Sequence, residues 1–194
     1  MSWPEPLILA SSSPRRRELL AAAGIEAISI SPEIDDSRFV CGTMSPQEWV
    51  TSLAILKARS ICSGTQFTVG TVLSADTVCV VDGLILGQPK SATQARAMIT
   101  SMANTSHEVL TGWCLKSVTG NQSTFGCETT VVAIGQIPVE DLNRYIESSM
   151  WQGKAGGYNL SERHSAGWPL TWQGDPTSVM GLPMHRLTVE LTRK

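Results

Sequence analysis

The sequence predicts an α/β domain, a mixed sheet with flanking helices. Three observations carry the prediction. A short apolar run, Leu7-Ile8-Leu9-Ala10, passes through three serines directly into a helix-forming segment, the pattern of a strand feeding a helix. Residues 67–81 are rich in β-branched residues and mostly apolar, as a central strand buried on both faces reads. Residues 107–115 read as a strand by composition, residues 123–134 are rich in Thr and Val, and the two flank a Thr119-Gly120-Asn121-Gln122 turn, which reads as a long antiparallel hairpin.

The elements follow in order. Ser13 is placed as an N-cap and Pro14 at the first helical position, where its missing N–H costs nothing. Gly24 then closes that helix as a C-cap glycine does. Residues 25–30 read as a second strand, followed by Glu33, Asp35 and Asp36 in a tight acidic cluster. Ser45 and Glu48 stand at capping-box spacing before a helix whose apolar stripe reads as Trp49, Leu53 and Leu56, widened by Val50, with Lys57 at its edge and Gly64 at its end. After the central strand, Asp82-Gly83 is a hairpin signal, and Leu84-Ile85-Leu86 returns. Ser91 caps a helix with Ala95, Met98, Ile99 and Met102 on one side. Beyond the long hairpin, residues 138–148 are helical, residues 151–158 are glycine-rich and suited to close approach of a ligand, residues 168–172 form a strand, Gly174-Asp175-Pro176-Thr177 is a turn, and residues 184–192 close the chain as a helix.

Composition narrows the function. A chain of 194 residues with 42% hydrophobic and 16% charged content builds one domain with a real core. A net charge of −2 gives no basic field to recruit nucleic acid, but it leaves room for a small anion in one basic pocket. Five cysteines without a CxxC pair indicate buried thiols in a reducing compartment and no zinc site. The N-terminal residues lack a signal-peptide pattern and no apolar run reaches membrane-spanning length, so a cytoplasmic location away from membranes is expected.

The most informative chemistry lies at Ser11-Ser12-Ser13-Pro14-Arg15-Arg16-Arg17. Helix N-terminal amides, hydroxyl donors and guanidinium forks together suit a phosphate. Arginines in a first helical turn oppose the helix dipole, a local cost that a bound anion would offset; a solvated basic helix start is the other reading of the same residues. Asp76 and Ser74 interrupt the apolar central strand. A carboxylate there must be hydrogen-bonded or hold a metal. The cluster at Glu33, Asp35 and Asp36, taken alone, reads first as a solvated acidic loop and second as a magnesium and base site. Trp151, Tyr158 and Trp168 are candidates for stacking on a base or for ordinary packing.

Taken together, the motifs resemble the Maf family of nucleoside triphosphate pyrophosphatases, collinearly over nearly the whole chain. Ala10-Ser11-Ser12-Ser13-Pro14-Arg15-Arg16 is similar to the family's signature loop. Ser74-Ala75-Asp76-Thr77-Val78 with Asp82-Gly83 and Leu86-Gly87 resembles its second motif, and His107-Glu108-Val109 with Thr111-Gly112 its third. Lys154-Ala155-Gly156 and Gly181-Leu182-Pro183 resemble the fourth and fifth. The resemblance implies an elongated two-lobed fold with a central cleft, often a homodimer. It implies hydrolysis of a nucleoside triphosphate (dTTP, UTP or a modified nucleotide) to the monophosphate and pyrophosphate, with Mg2+, or Mn2+ or Co2+ in its place. It assigns catalysis to Asp76, Lys57 and Arg15, substrate binding to Ser11, Ser13, Arg15, Arg16, Thr77, Gln88, Lys90 and Lys154, and the metal to Asp76 and Asp36.

The chain departs from the family pattern at several positions. The usual Asp-Glu is Asp35-Asp36 here, and the usual Gly-Lys-Pro is Gly87-Gln88-Pro89, so a neutral amide stands where a cation is expected. Lys90, two residues on, is expected to share the face of Gln88 in an extended segment and to supply the charge. Gly153 replaces an acidic residue, Ser161-Glu162 stands near the family's base-reading glutamine, and Asp175-Pro176-Thr177 is similar to members acting on a methylated guanosine triphosphate. The absence of a cation at position 88 also admits a second function, a nucleotide-binding regulator of septum formation with reduced or no catalysis.

Overall fold

The structure, a computed structural model, describes residues 3–34, 39–64 and 67–192. Among them, seven strands form one mixed sheet in the order β2-β1-β3-β5-β6-β7, with β4 on β3. The strands are β1 (Leu7–Ala10), β2 (Ile28–Ile30), β3 (Thr71–Val81), β4 (Leu84–Leu86), β5 (Thr105–Ser117), β6 (Ser123–Ile134) and β7 (Leu170–Gln173). β1 runs parallel to both β2 and β3; the other pairings are antiparallel. The helices are α1 (Pro14–Ala22), α2 (Pro46–Gly64), α3 (Ala92–Met102), α4 (Val139–Glu147), α5 (Leu160–Ser165), α6 (Pro176–Val179) and α7 (Met184–Thr192). This is the mixed, helix-flanked sheet that the sequence predicts.

Alternation along β3 sorts the core into two faces. On one face, Leu73 and Ala75 pack with Trp113 and Leu115 of β5 under α1 and α7, through Leu20, Leu182 and Leu187. Further along the same face, Cys79 and Val81 pack with Val109 and Val132 under α3 and α4, through Ile99, Met102, Tyr145 and Ile146. Between these clusters lies a register pair of threonines, Thr77 and Thr111. The opposite face is covered by α2, with Ala54, Ala58 and Ile61 over Ile8, Val72 and Cys114, and Val50 over Val78 and Leu110.

Several local expectations hold, with physical detail added. Ser45 and Glu48 form the reciprocal capping box, the Ser45 amide donating to Glu48 at 2.8 Å and the Glu48 amide to the Ser45 hydroxyl at 3.2 Å; the Ser45 amide and hydroxyl, both donating to the Glu48 carboxyl, hold it below its usual range. Asp82 and Gly83 both adopt positive φ in the β3–β4 hairpin, as a type I′ turn requires. Gly24 ends α1 with φ +70°, its amide bonded to Ala21 and that of Ile25 to Leu20, a Schellman arrangement. That arrangement draws Ile25 into the core beside Leu20, so β2 covers only Ile28–Ile30 instead of residues 25–30.

Other boundaries move. β3 starts at Thr71, not at residue 67, because Gly70 turns the chain with φ +143° against the Pro6 carbonyl. The buried face of α2 comprises Val50, Leu53, Ala54, Lys57, Ala58 and Ile61; Trp49 and Leu56 flank it. Residue size misleads here, since close approach to a sheet favours small residues. A Cβ added to Gly112 of β5 would stand 2.5 Å from the Val50 backbone, which marks where α2 and β5 touch. Lys57 therefore points into the sheet, where the sequence places it at the edge of the face. Two short helices add to the expected elements, α5 in a stretch given no element and α6 at the expected turn. α5 is capped by the Asn159 side chain accepting from the Glu162 amide, and α6 by Asp175 accepting from Thr177.

Candidate active site

The site forms where the sheet is incomplete. One edge of β3 pairs with β1 through Ser74 and with β4 from Cys79 onward. Among the described residues no strand pairs with residues 75–78 on that edge, so both faces of β3 meet in the gap. A cavity of about 710 Å³ opens there, at the carboxyl end of parallel strand β1, the usual ligand position in open α/β sheets. Asp76, from the α2 face, and Thr77, from the opposite face, line the same space. Alternation alone would have separated them.

The β1–α1 turn forms one wall. Ser13 occupies the N-cap position of α1, but its side chain caps no amide, and no acidic residue stands in the first turn. The helix terminus thus keeps its amides and its positive dipole end directed at the cavity. Ser11, Ser13, Arg15 and Arg16 line the wall. Arg15 donates to the Gly153 carbonyl at 2.9 Å across the mouth. Arg16 donates to Gly181 O at 2.9 Å, Ser11 Oγ at 3.1 Å and Thr77 Oγ1 at 3.4 Å.

At the floor, Lys57 Nζ donates to Asp76 Oδ1 at 2.6 Å, both side chains being largely buried. The aspartate thus finds the partner that a carboxylate in an apolar strand needs, and its second oxygen makes no hydrogen bond among the described residues. The far wall is the glycine-rich segment, which contains a single 3-10 turn at Ala155–Gly157. Several contacts fix it. The Gly156 amide donates to Gly87 O, the Tyr145 hydroxyl to Gly157 O at 3.0 Å, and His107 Nε2 meets the Tyr158 hydroxyl at 2.7 Å. Gly156, at φ +66°, packs so closely that a Cβ would stand 2.7 Å from Cys79 Sγ. Burial holds the His107 imidazole down to about 4, lifts the Cys79 thiol to about 12 and raises the Tyr158 phenol well above its usual value. These three groups stay neutral at pH 7. Lys154 is buried and paired with Glu162; desolvation lowers its pKa, and the Glu162 carboxylate works against that shift.

Nine residues singled out from the sequence line this one cavity: Ser11, Ser13, Arg15, Arg16, Lys57, Asp76, Thr77, Gln88 and Lys154. One described candidate does not line it. Lys90 is exposed beyond β4, its amide bonded to Gln94 at the start of α3; the segment turns into the helix there and does not run on as a strand, so the expected substitute for the Gln88 cation is not brought to the wall. Asp36 lies outside the described residues. Of the aromatic candidates, Tyr158 lines the cavity. Trp151 and Trp168 belong to the core under α3 and α4, and Trp151 donates its indole N–H to Ile146 O. The sequence reading missed Gln152 and Asn159 in the lining and the Glu162 partner of Lys154. Asn159 and Glu162 at cap spacing were the available signal.

Electrostatically the cavity carries Arg15, Arg16, Lys57 and Lys154 against Asp76, the one carboxylate among its described lining residues. Such an excess of cations, with a helix terminus and hydroxyl donors beside it, suits a polyphosphate. Among the described residues no group of three or more His, Cys, Asp or Glu side chains stands ready to hold a metal. A lone carboxylate beside a phosphate site is still the donor set that magnesium uses, because it takes one or two carboxylates and completes its shell with substrate phosphates and water.

Comparison with known proteins finds relatives along nearly the whole chain. A dTTP/UTP pyrophosphatase of Symbiobacterium thermophilum is 39% identical over 97% of this chain and 94% of its own length. A dTTP/UTP pyrophosphatase of Pyrococcus abyssi is 36% identical over 96% of this chain and 95% of its own. A solved nucleoside-triphosphatase (dITP/XTP pyrophosphatase) of Mycobacterium abscessus aligns with a TM-score of 0.42 at 16% identity, over 69% of this chain and 74% of that one, a likeness too slight to build on. The Maf-like protein family model matches residues 6–194, and the chain belongs to that family.

Proposed function

We infer that this protein is a nucleoside triphosphate pyrophosphatase, releasing pyrophosphate and a nucleoside monophosphate. The observation that carries the reading is the convergence of the Ser11–Arg16 turn and the Lys57–Asp76 pair on one cavity, phosphate donors and a carboxylate facing the same space. The names of the relatives make dTTP and UTP the first substrates to test. In this reading Arg15, the α1 amides and the Ser11 and Ser13 hydroxyls hold the phosphates. The second oxygen of Asp76 accepts a proton from the attacking water, whose oxygen forms a bond to the α-phosphorus as the bond to the β-phosphate bridge breaks and pyrophosphate leaves. Lys57 fixes the carboxylate through its other oxygen and balances the charge that builds on the phosphates. Asp76 is also the described residue that fits a magnesium ion, with Asp36 as the expected second ligand; when bound, the ion neutralises phosphate charge and polarises the α-phosphate.

Gln88 favours a second reading. It lines the cavity as a neutral amide where the family pattern has a cation, and a site short of one charge could hold nucleotide without turning it over. Incubation with Mg2+ and a panel including dTTP, UTP, GTP and ATP, with pyrophosphate measured, separates the two. Pyrophosphate release in parallel with monophosphate is the expected result. Nucleotide binding without any pyrophosphate leaves the regulator, and absence of binding removes both.

A further inference from the structure

Counting protons through the hydrogen bonds around Arg16 gives a role to a residue that never touches the cavity. Thr111 is fully buried on β5. Its hydroxyl donates to the Ser178 carbonyl at 2.8 Å, and a hydroxyl has one proton to give. At the 2.9 Å contact between Thr77 and Thr111, Thr77 must therefore be the donor. With its proton committed inward, Thr77 offers only lone pairs outward, and one of them meets Arg16 Nη2 at 3.4 Å. Arg16 is held on its other donors by Gly181 O and Ser11 Oγ. Gly181 belongs to the same turn as Ser178, the Gly181 amide bonding back to the Ser178 carbonyl at 2.9 Å.

The chain ends at Ser11. Its oxygen accepts from both the Ser13 amide at 3.1 Å and Arg16 Nη1 at 3.1 Å. Both lone pairs are occupied, so the Ser11 hydroxyl can only donate, and it lines the cavity. A donor fixed toward an anion needs no rearrangement when the anion arrives.

We propose that Thr111 is a positioning residue: by taking the Thr77 proton it turns Thr77 into an acceptor for Arg16, and Arg16 so held makes the Ser11 hydroxyl a fixed donor to a phosphate oxygen. The proposal rests on the cavity being a polyphosphate site. It divides the tandem arginines, Arg16 ordering the wall and Arg15 meeting the ligand.

The test uses inorganic tripolyphosphate as the probe, with binding measured by calorimetry on protein checked by thermal melting, alongside steady-state hydrolysis. Thr111→Val keeps the shape and removes the hydroxyl. It is expected to weaken tripolyphosphate binding roughly tenfold or more and to raise KM for the triphosphate by a similar factor, with kcat little changed. Thr111→Ser restores the hydroxyl and is expected to bind within about twofold of the parent. Parent-like binding by Thr111→Val overturns the proposal. So does a Thr111→Ser variant as weak as Thr111→Val, because the methyl group and not the proton relay would then be what matters. Should Thr111→Val fail to fold, Thr77→Val breaks the same relay one residue later and is expected to show the same loss; parent-like binding there also overturns it. A parent protein that neither binds tripolyphosphate nor releases pyrophosphate from any nucleotide removes the polyphosphate reading itself, an outcome distinct from a functional parent with unaffected variants.

Discussion

The two walls of the cavity are built on different physics. The near wall, from β1 and α1, presents hydroxyls, amides and guanidinium groups tied to one another and to neighbouring backbone by directed hydrogen bonds. The far wall, from residue 152 to residue 159, is held from behind by a buried aromatic cluster. Tyr145, Trp151, Tyr158 and Trp168 belong to one core, Tyr145 and Trp168 meet edge to face at 5.1 Å, and the Arg163 guanidinium sits 4.4 Å from the Tyr145 ring centroid. The difference teaches that the near wall is arranged for chemistry and the far wall for packing. Damage to the first should cost activity with the fold intact; damage to the second should cost stability.

The sharpest break of the near side is Asp76→Asn at the floor. The amide still accepts from Lys57, so the ion pair becomes a hydrogen bond and the helix–sheet contact survives. Loss of the base is expected to lower kcat about a thousandfold, with the melting temperature little changed, as measured by pyrophosphate release and calorimetric unfolding. Near-parent turnover would remove Asp76 from the chemistry.

On the far side, acid provides the break. His107 is buried against Tyr158 and held near 4, against 6.5 when unfolded. Between those values the unfolded chain binds a proton that the folded chain refuses. The stability is complete above pH 6.5 and declines as pH falls toward 4, by about 3 kcal/mol for this group. Urea melts at a series of pH values measure the decline, and His107→Gln is expected to flatten it. A parent protein equally stable at pH 6.5 and pH 4 would mean that the imidazole titrates in the fold.

Arg15→Ala returns to the near wall with a smaller effect. One charge-assisted contact to phosphate is lost, which is expected to weaken triphosphate binding on the order of tenfold to a hundredfold while nucleoside binding stays unchanged. Equal losses for the two ligands would place Arg15 in the structure of the mouth, where it already bonds Gly153.

The same contrast explains what the sequence made legible. Near-wall residues announce themselves locally. A serine turn, a proline at the first helical position and adjacent arginines need no distant partner to be recognised, and Asp76 stands out because its own strand is apolar. Far-wall roles depend on contacts across long stretches of chain. Trp151 and Trp168 read either as base-stacking candidates or as packing, and they are core because α4 and β6 cover them. Lys57 reads as a lysine at the edge of the helix face because large side chains draw the apolar stripe toward Trp49 and Leu56, while the contact is made by small ones opposite Gly112. The break in strand pairing that puts Asp76 and Thr77 into one space is a property of the whole sheet and has no local signature.

Gln88 gives the smallest and most discriminating test, because it adjoins the packed wall but lines the cavity. Gly87 is anchored by the Gly156 amide and Pro89 is buried, so the backbone on either side of Gln88 is fixed and a longer side chain there extends into the cavity without moving it. Gln88→Lys would add a fifth cation to the lining, and Lys90, turned away at the start of α3, does not already supply that charge. The expected result is a rise in kcat/KM of a few fold, about 1 kcal/mol for one partly solvated charge, with the melting temperature unchanged. No rise at low salt would mean that the four cations present already neutralise the triphosphate, and that this wall contributes shape alone.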